Sequence, residues 1–459
     1  MDKHQAQNII RETFENSFDK ERFVGFIKNL LKRIEEDRIP QRQGQFIPEA
    51  YRQYISTLER IGKFNDGENR IDILIIKLQK ETSLERARTM QRNFVAGYLQ
   101  GKYGSSNEKE AALVAFVSPD EKDWRFSLVK MDYKFEQTQT GIMKVKDEFT
   151  PARRWSFLVG KNETSHTAQN RLVNMLANDE HSPTLAELEQ AFDIETVTKE
   201  FFIKYRELFI RTKEELDKVV ENDAKIKADF EAKSVNVVDF AKKLLGQIVF
   251  LYFLQKKGWF GVGRDAEWGT GSKHFLRELF GKRHGDYKNF FNDILEPLFY
   301  EALRNDRSHD DHYYSQFNCK IPFLNGGLFD PIGNNGGYDW IKTDIHLPDS
   351  LFSNKNKTKE GDEGDGILDI FDRYNFTVRE DEPLEKEVAI DPELLGKAYE
   401  KFNAIRPDNF EEYKKALKSG KKGEESKFNK QYGVYYAPRE IVHYMCQQIP
   451  AHRIDHSPP

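Results

Sequence analysis

The segment with the strongest β-strand signal reads Arg70-Ile-Asp-Ile-Leu-Ile-Ile-Lys-Leu-Gln-Lys80, and the turn residues Asn65-Asp-Gly-Glu-Asn69 precede it. Branched aliphatic residues favour strands, whereas Asn, Asp and Gly favour turns. Because side chains alternate between the two faces of a strand, Asp72 and Lys80 are expected on one face. This segment therefore predicts one strand of a larger sheet.

The flanking sequence predicts the rest of an α/β domain. Apolar residues recur at helical spacing before the strand, at Ile9, Ile10, Phe14, Phe18, Phe23, Phe26, Ile27, Leu30 and Leu31. After it we expect a helix from Leu84 to Leu99, an apolar and therefore central strand over Ala111–Val117, and an alternating strand over Trp124–Tyr133. An apolar strand from Arg153 to Gly160 ends this region, which gives an α/β domain over residues 1–160.

A helical region follows. From Leu185 onward the apolar residues recur at helical spacing, and the segment Phe240–Trp259 predicts a buried helix that is too short and too charged at its ends to span a membrane. We therefore expect residues 161–430 to form a mainly helical connector domain.

Composition narrows the function classes. The formal net charge of -5 gives no global basic signature of nucleic-acid binding, so any DNA contact must come from local patches. The two cysteines, Cys319 and Cys446, lack metal-ligand spacing and are expected to be buried thiols in a reducing cytoplasm. Met1 is followed by polar residues, and no apolar run approaches the roughly 18 residues that a membrane span needs. The sequence predicts a cytoplasmic protein without a membrane partner.

The helix after the first strand carries the best local patch, which consists of Arg86, Arg88 and Arg92. Arg88 and Arg92 lie one turn apart on one helix face, and the planar guanidinium group suits phosphate oxygens. These arginines are therefore candidate DNA-binding residues. The alternative is a solvated basic face with an internal ion pair from Glu85 to Arg88 or Arg92, and both interpretations stay open.

The order strand, helix, strand, strand resembles the core of the PD-(D/E)xK nucleases. That resemblance implies an Asp and an acid-x-Lys on one strand, because two carboxylates must hold a divalent ion while the Lys acts on the attacking water. Here Ile75 occupies the position two before Lys77 where the acid should stand. Asp72 and Lys80 remain as candidate nuclease residues, with Asp72 as the candidate ligand of Mg²⁺. The alternative is a degenerate nuclease-like fold that binds DNA or only packs.

A second motif reads Gln431-Tyr-Gly-Val-Tyr-Tyr-Ala-Pro-Arg-Glu-Ile-Val-His-Tyr-Met445. It resembles the Gly-x-Tyr-Tyr-Thr-Pro-x-x-Ile-Val motif of DNA adenine-N6 methyltransferases, which implies that Tyr435, Tyr436 and Pro438 pack on S-adenosylmethionine. Ala437 stands where the family usually has Thr, so one hydroxyl contact is missing. The alternative interpretation is a simple helix-entry turn. The sequence contains neither the Gly-rich loop nor the Asn-Pro-Pro-Tyr motif that such a methyltransferase needs.

Four further motifs precede this one in the order found in large restriction-modification proteins: Phe250–Trp259, Ile321–Phe329, Tyr374–Glu380 and Ile390–Gly396. The chain therefore resembles the N-terminal region of a type IIG-like, single-chain restriction-modification enzyme. The resemblance implies that residues 431–459 begin a class I methyltransferase domain, which we expect to be truncated here.

The resemblance also implies a function. We expect the DNA-engaging part of a restriction-modification enzyme that acts on foreign double-stranded DNA and has no complete methyltransferase site in this chain. Its parent enzyme would use S-adenosylmethionine for methylation and Mg²⁺ for any cleavage. The alternative is a catalytically inert DNA-binding or scaffold subunit that works with a separate methyltransferase or specificity chain.

Overall fold

The computed structural model describes residues 1–85, 88–103, 108–132, 135–137, 143–145, 152–324, 326–358, 361–377, 384–392, 396, 400, 402–419, 441, 444 and 445. The chain is an α/β protein with a large mixed sheet and about twelve helices. The described residues divide into two compact units. The first unit contains residues 1–199, 372–375 and 384–389, and the remainder forms the second unit.

The first unit contains the large sheet. Its helices are α1 (Lys3–Phe14), α2 (Lys20–Leu31), α3 (Arg88–Leu99), α4 (His166–Ala177) and α5 (Leu185–Ala191). Its strands are β1 (Ile39–Gln43), β2 (Ile55–Asn65), β3 (Arg70–Leu78), β4 (Ala111–Val117), β5 (Asp123–Met131), β6 (Phe135–Gln137), β7 (Met143–Val145), β8 (Ala152–Gly160) and β11 (Glu385–Glu387). Among the described residues, β6 and β7 pair with each other in a separate two-stranded sheet.

The large sheet has the strand order β1-β2-β3-β4-β5-β8-β11. The pairs β3/β4 and β8/β11 are parallel, and the other neighbours are antiparallel. The predicted strands over residues 70–80, 111–117, 124–133 and 153–160 are confirmed as β3, β4, β5 and β8, with ends that differ by at most two residues. The chain runs β3, α3, β4, β5, so the predicted order strand, helix, strand, strand is also present.

One face of the sheet packs against α1 and α2 through aromatic rings. The ring centroids of Phe14 and Trp124 lie 5.6 Å apart, and those of Phe26 and Phe126 lie 5.5 Å apart. Edge-on and tilted ring pairs at this separation add to the gain from burying apolar area. This layer fixes the position of β5 within the sheet.

The opposite face packs against α3. Its apolar core contains Leu74 and Ile76 from β3, Val114 and Phe116 from β4, and several residues of α3. Both faces of β3 and β4 are covered, and the sequences of these strands are accordingly almost continuous runs of apolar residues. Such runs are typical of central strands. The same face also carries the buried polar side chains of Asp72, Arg125 and Arg154.

Three strands of the sheet, β1, β2 and β11, were not predicted from the sequence. The pairing of β2 with β3 is irregular at two places, between Ile55 and Thr57 and between Arg60 and Gly62. Such irregularities interrupt the alternation of buried and exposed positions along the strand. The strand β11 has the sequence Glu-Lys-Glu, which has low β-propensity. Its pairing depends on partners that are distant in sequence.

The second unit is mainly helical. Its elements are α6 (Ile194–Asn222, which begins in the first unit), α7 (Ala224–Ala232), α8 (Val237–Lys256), α9 (Phe275–Phe280), α10 (Asp349–Phe352), α11 (Ile367–Phe371), α12 (Phe410–Ser419), π-helical turns at Phe291–Leu295 and Leu298–Ala302, and the strands β9 (Tyr313–Tyr314) and β10 (Cys319–Lys320). In the described part of the chain, every helix is too short or too polar to cross a bilayer. Cys319 is buried, and burial raises the pKa of its thiol to about 12. Cys446 lies outside the described residues.

The core of the second unit contains the carboxyl group of Glu296, which is fully buried. The Tyr338 hydroxyl donates a hydrogen bond to its Oε1 at 2.5 Å, and the Tyr300 hydroxyl lies 3.3 Å from that of Tyr338. Burial raises the pKa of Glu296 well above 4.5, and the bond from Tyr338 opposes this shift only in part. Glu296 is therefore a protonated acid in the folded protein over a pH range in which the unfolded chain is ionised.

We predict that Glu296→Gln changes how stability depends on pH. A carboxyl group with a raised pKa stabilises the fold fully below its unfolded pKa, and this contribution is lost as the pH rises towards the folded value. The unfolding free energy of the wild type should therefore fall relative to that of Glu296→Gln above about pH 4.5, by up to about 1.4 kcal/mol per pH unit. Urea denaturation across a pH series measures this difference. The exposed control Glu267→Gln should track the wild type, and parallel curves for wild type and Glu296→Gln would contradict the prediction.

Candidate functional site

The candidate site is built on two neighbouring strands of the first unit, β5 and β8. Ser127 and Ser156 lie opposite each other in the ladder, and their hydroxyl oxygens are 2.7 Å apart. Arg125 and Arg154 lie two positions from these serines along their own strands, so all four side chains share the face that packs against α3. The face therefore carries polar groups at its β5–β8 end and apolar groups elsewhere.

The helix α3 adds three polar side chains at spacings of one turn. Arg88, Gln91 and Arg92 project towards the same end of the sheet. The Gln91 Oε1 accepts a hydrogen bond from Arg154 Nη1 at 3.0 Å. Together, Arg88, Arg92, Arg125 and Arg154 form what we call the arginine cluster.

The counter-charges come from β11, which we call the acidic strand. Its Glu385 lies 3.2 Å from Arg154 Nη2, 3.4 Å from Arg88 Nε and 3.5 Å from Arg92 Nη1. Its Glu387 accepts a hydrogen bond from Arg125 Nη1 at 3.0 Å. Two carboxylates that are more than two hundred residues away in sequence thus hold four guanidinium groups.

The site is almost completely removed from water. The side chains of Arg125 and Arg154 are 0% exposed, and those of Glu385 and Glu387 are 2% and 4% exposed. Glu85, at 37% exposure, also pairs with Arg125 and lies 3.8 Å from Arg88. Among the described residues, three glutamates pair directly with the four arginines, and the charge of Glu121 also acts on Arg125.

Arg125 and Arg154 differ in their electrostatic surroundings. Burial lowers the pKa of the Arg154 guanidinium group below the ordinary value, and the neighbouring arginines add to this effect against the opposing influence of Glu385. At Arg125 burial acts in the same direction, but Glu387 and Glu85 outweigh it and raise the pKa. Arginine keeps its charge at neutral pH in either case. Arg154 is thus less well compensated than Arg125, although Glu385 and Gln91 both bind it.

A second polar group on the same face surrounds Asp72. Its Oδ2 accepts hydrogen bonds from the Tyr98 hydroxyl at 2.6 Å and from Arg60 Nη1 at 3.2 Å. Burial, followed by the charge of Asp72, raises the pKa of Tyr98 far above its usual value, so the hydroxyl remains a donor. Lys109 is also buried, and burial lowers its pKa while the Asp72 charge opposes that shift. Asp72 is therefore surrounded by two cations and a hydroxyl donor.

The surroundings of Asp72 do not fit a Mg²⁺ site. The ion prefers several oxygen ligands, commonly including one or two carboxylates. Here Oδ2 of Asp72 already accepts hydrogen bonds from Arg60 and Tyr98. Its Oδ1 has no hydrogen-bond partner among the described residues. Within the described parts of the chain, no three His, Cys, Asp or Glu side chains are grouped to hold a metal ion. Mg²⁺ binding stays a prediction from the family resemblance.

Lys80 does not join Asp72. The strand β3 ends at Leu78, and Lys80 lies exposed in the turn that follows. Six residues of strand already span roughly 20 Å. The two candidate nuclease residues thus belong to different surroundings, and a role for either of them in cleavage remains untested.

Arg88 and Arg92 lie in α3, as predicted, with side chains that are each 10% exposed. The ion pair with Glu85 that was the alternative to DNA binding is present for Arg88. In this conformation both arginines face the acidic strand, and DNA binding by them stays a prediction. Arg86 lies outside the described residues, as do the predicted cofactor residues Tyr435, Tyr436 and Pro438.

Sequence reasoning missed half of the arginine cluster and both of its main counter-charges. Arg125 and Arg154 stand in Trp-Arg-Phe-Ser and Arg-Arg-Trp-Ser, where Arg and Ser alternate with large apolar residues. Two strands that share this pattern could have indicated a polar strip on one sheet face. Glu385 and Glu387 had no comparable signal.

We predict that Tyr98→Phe destabilises the first unit. The substitution removes one of the two donors to Asp72 Oδ2, and a buried carboxylate that loses a donor costs about 1–3 kcal/mol. Urea denaturation measures the loss. The control Tyr54→Phe removes a hydroxyl from a half-buried tyrosine packed against the same core and should cost less. Equal losses for the two variants would argue against a special role of the bond to Asp72.

Comparisons of this chain with protein-family models, with curated proteins and with solved structures found no match.

Proposed function

We propose that this chain is the DNA-engaging part of a restriction-modification enzyme, and that its α/β unit binds duplex DNA without cleaving it. The observation that carries the proposal is the convergence of four guanidinium groups from α3, β5 and β8 on one end of the sheet. Guanidinium groups are well suited to phosphate oxygens because their donors form a planar fork.

The local charge supports this proposal better than the charge of the whole chain does. The formal net charge is -5, so binding cannot arise from a general attraction to DNA. The arginine cluster brings four guanidinium groups to one place on the sheet, where they are paired with glutamates and would have to be exposed to meet DNA. Such a site can fix the position of a phosphate backbone without reading its sequence.

The surroundings of Asp72 argue for binding without cleavage. A nuclease of the PD-(D/E)xK type needs a second acid close to the first, and Ile75 occupies the expected position, where it is buried. Asp72 itself is already neutralised by Arg60. The strand order can therefore be retained for DNA binding while the cleavage residues are lost.

The proposal predicts salt-dependent binding that requires Arg88 and Arg92. Fluorescence anisotropy with a labelled duplex should show an affinity that falls as salt rises, because bound counterions are released from the DNA. The double substitution Arg88→Ala with Arg92→Ala should weaken binding to unrelated sequences to a similar extent and reduce the log–log salt slope by about 2.

The matched control for this experiment is Arg264→Ala with Arg283→Ala, which removes two exposed arginines of the second unit. It should retain most of the affinity. A wild-type chain that does not bind duplex DNA would refute the proposed function, and so would binding that is indifferent to Arg88 and Arg92.

The proposal also predicts that the purified chain does not nick supercoiled plasmid in the presence of Mg²⁺. Asp72 alone supplies too few oxygen ligands for the ion. Gel analysis of plasmid with and without Mg²⁺ tests this. Nicking that needs Mg²⁺, is lost in Asp72→Asn and persists in Tyr54→Phe would show that the α/β unit is a nuclease.

A further inference from the structure

The acidic strand is held in the sheet by a short ladder, by its charges and by the residues that follow it. It is three residues long and, among the described residues, lies at the edge of the sheet beside β8. Backbone bonds from Arg154 N to Leu384 O at 2.9 Å and from Val388 N to Ser156 O at 2.8 Å flank it, and Val388 and Ala389 after it are buried. Short edge strands with polar sequences have little intrinsic stability. The ion pairs with the arginine cluster therefore contribute to holding this strand in place.

The two glutamates present their charges as a phosphate backbone would. Because they are two positions apart on a strand, both side chains point to one face, with a separation of roughly 6.6 Å. This distance resembles the spacing of successive phosphates along a nucleic-acid strand. Each carboxylate meets guanidinium groups at the distances that charge-assisted hydrogen bonds and ion pairs with a phosphate would show.

Removal of the acidic strand would leave a strongly cationic site. Of the three glutamates that pair with the arginines, Glu85 would remain, so the positive charge of the site would rise by two. Arg154, whose side chain is 0% exposed, stands on β8, the strand beside which the acidic strand lies. Such a site would attract the anionic backbone of DNA strongly.

We propose that the arginine cluster is a binding site for successive phosphates of a DNA strand, and that the acidic strand Glu385–Glu387 occupies this site as an intramolecular mimic of the phosphates. DNA and the acidic strand compete for the same guanidinium groups, so the closed form has a lower apparent affinity than the open form. This inference rests on the proposed function, because it assumes that the α/β unit engages DNA.

Substitution of the glutamates can distinguish a rigid core from a strand that leaves the sheet. In a rigid core, loss of one partner leaves a buried charge without compensation, which is severely destabilising. If the acidic strand can leave the sheet, the arginines become hydrated. The loss of stability is then limited to the free energy of opening the strand. Neutralising both glutamates should then open the site and leave the rest of the unit folded.

The first experiment neutralises the acidic strand with Glu385→Gln and Glu387→Gln in the full chain. We expect the affinity for a labelled duplex to rise by about tenfold or more, because the competing strand no longer holds the arginines. The log–log salt slope should also become steeper. The control Glu12→Gln with Glu49→Gln makes the same charge change at two exposed sites of the first unit and should not raise the affinity in this way. Circular dichroism checks that each variant is folded.

The second experiment locks the acidic strand in place without changing a charge of the site. Lys386 and Trp155 are direct neighbours in the parallel ladder, and their side chains point to the sheet face opposite the arginine cluster. Neighbouring strand positions have the separation that a disulfide requires. In Trp155→Cys with Lys386→Cys, oxidation should abolish the binding that depends on the arginine cluster, and reduction of the same sample should restore it.

The outcomes separate this inference from the proposed function. If the wild type does not bind duplex DNA, the proposed function fails, and the competition, which rests on it, fails with it. If the wild type binds but neither the glutamine substitutions nor the disulfide changes its affinity, the competition is refuted and the proposed function stands. If the glutamine variant does not fold, the comparison of the oxidised and reduced cysteine variant decides alone.

Discussion

The architecture of the first unit depends on the neutralisation of buried arginines. Two fully buried guanidinium groups on adjacent strands cannot remain in a low-dielectric interior without partners, because each would lose the hydration that it has in water. Their partners are supplied by a segment that follows most of the second unit in the sequence. The ion pairs with these arginines thus favour the return of the chain to the sheet. They also explain why a polar Glu-Lys-Glu segment, which apolar packing would not favour there, forms a strand at this place.

Buried charges on the same sheet face are neutralised in two different ways. At β3, one carboxylate is held by Arg60 and Tyr98 from neighbouring elements, and Arg60 is also paired with Asp37. At β5 and β8, four arginines share the carboxylates of an edge strand. The first group lies within the contiguous core, whereas the second lies where the sheet is completed by a weakly paired strand. The second group, unlike the first, takes its main counter-charges from a strand at the edge of the sheet.

Much of the sheet could be predicted from sequence because its central strands carry their own signal. The apolar runs of β3 and β4 and the alternation of β5 report burial directly, and the aromatic spacing of α1 and α2 reports the layer that covers them. The strand β2 was missed because irregularities shift its alternation. The acidic strand could not be found in this way, since its conformation follows from ion pairs with distant residues and not from its own propensity. Of the candidate site, the α3 arginines were visible as a helical pattern, while Arg125 and Arg154 were hidden in strands that read as apolar.

The long sequence separation between Arg154 and Glu385, 231 residues, has a consequence for biosynthesis. A ribosome needs roughly 10 to 50 seconds to add a segment of that length. Throughout that interval the nascent sheet carries its arginines without the carboxylates of the acidic strand, beside the anionic RNA of the translating ribosome. The α/β unit therefore cannot reach its final state as an independent early folding unit, and its last strand is added only after most of the helical unit has been translated.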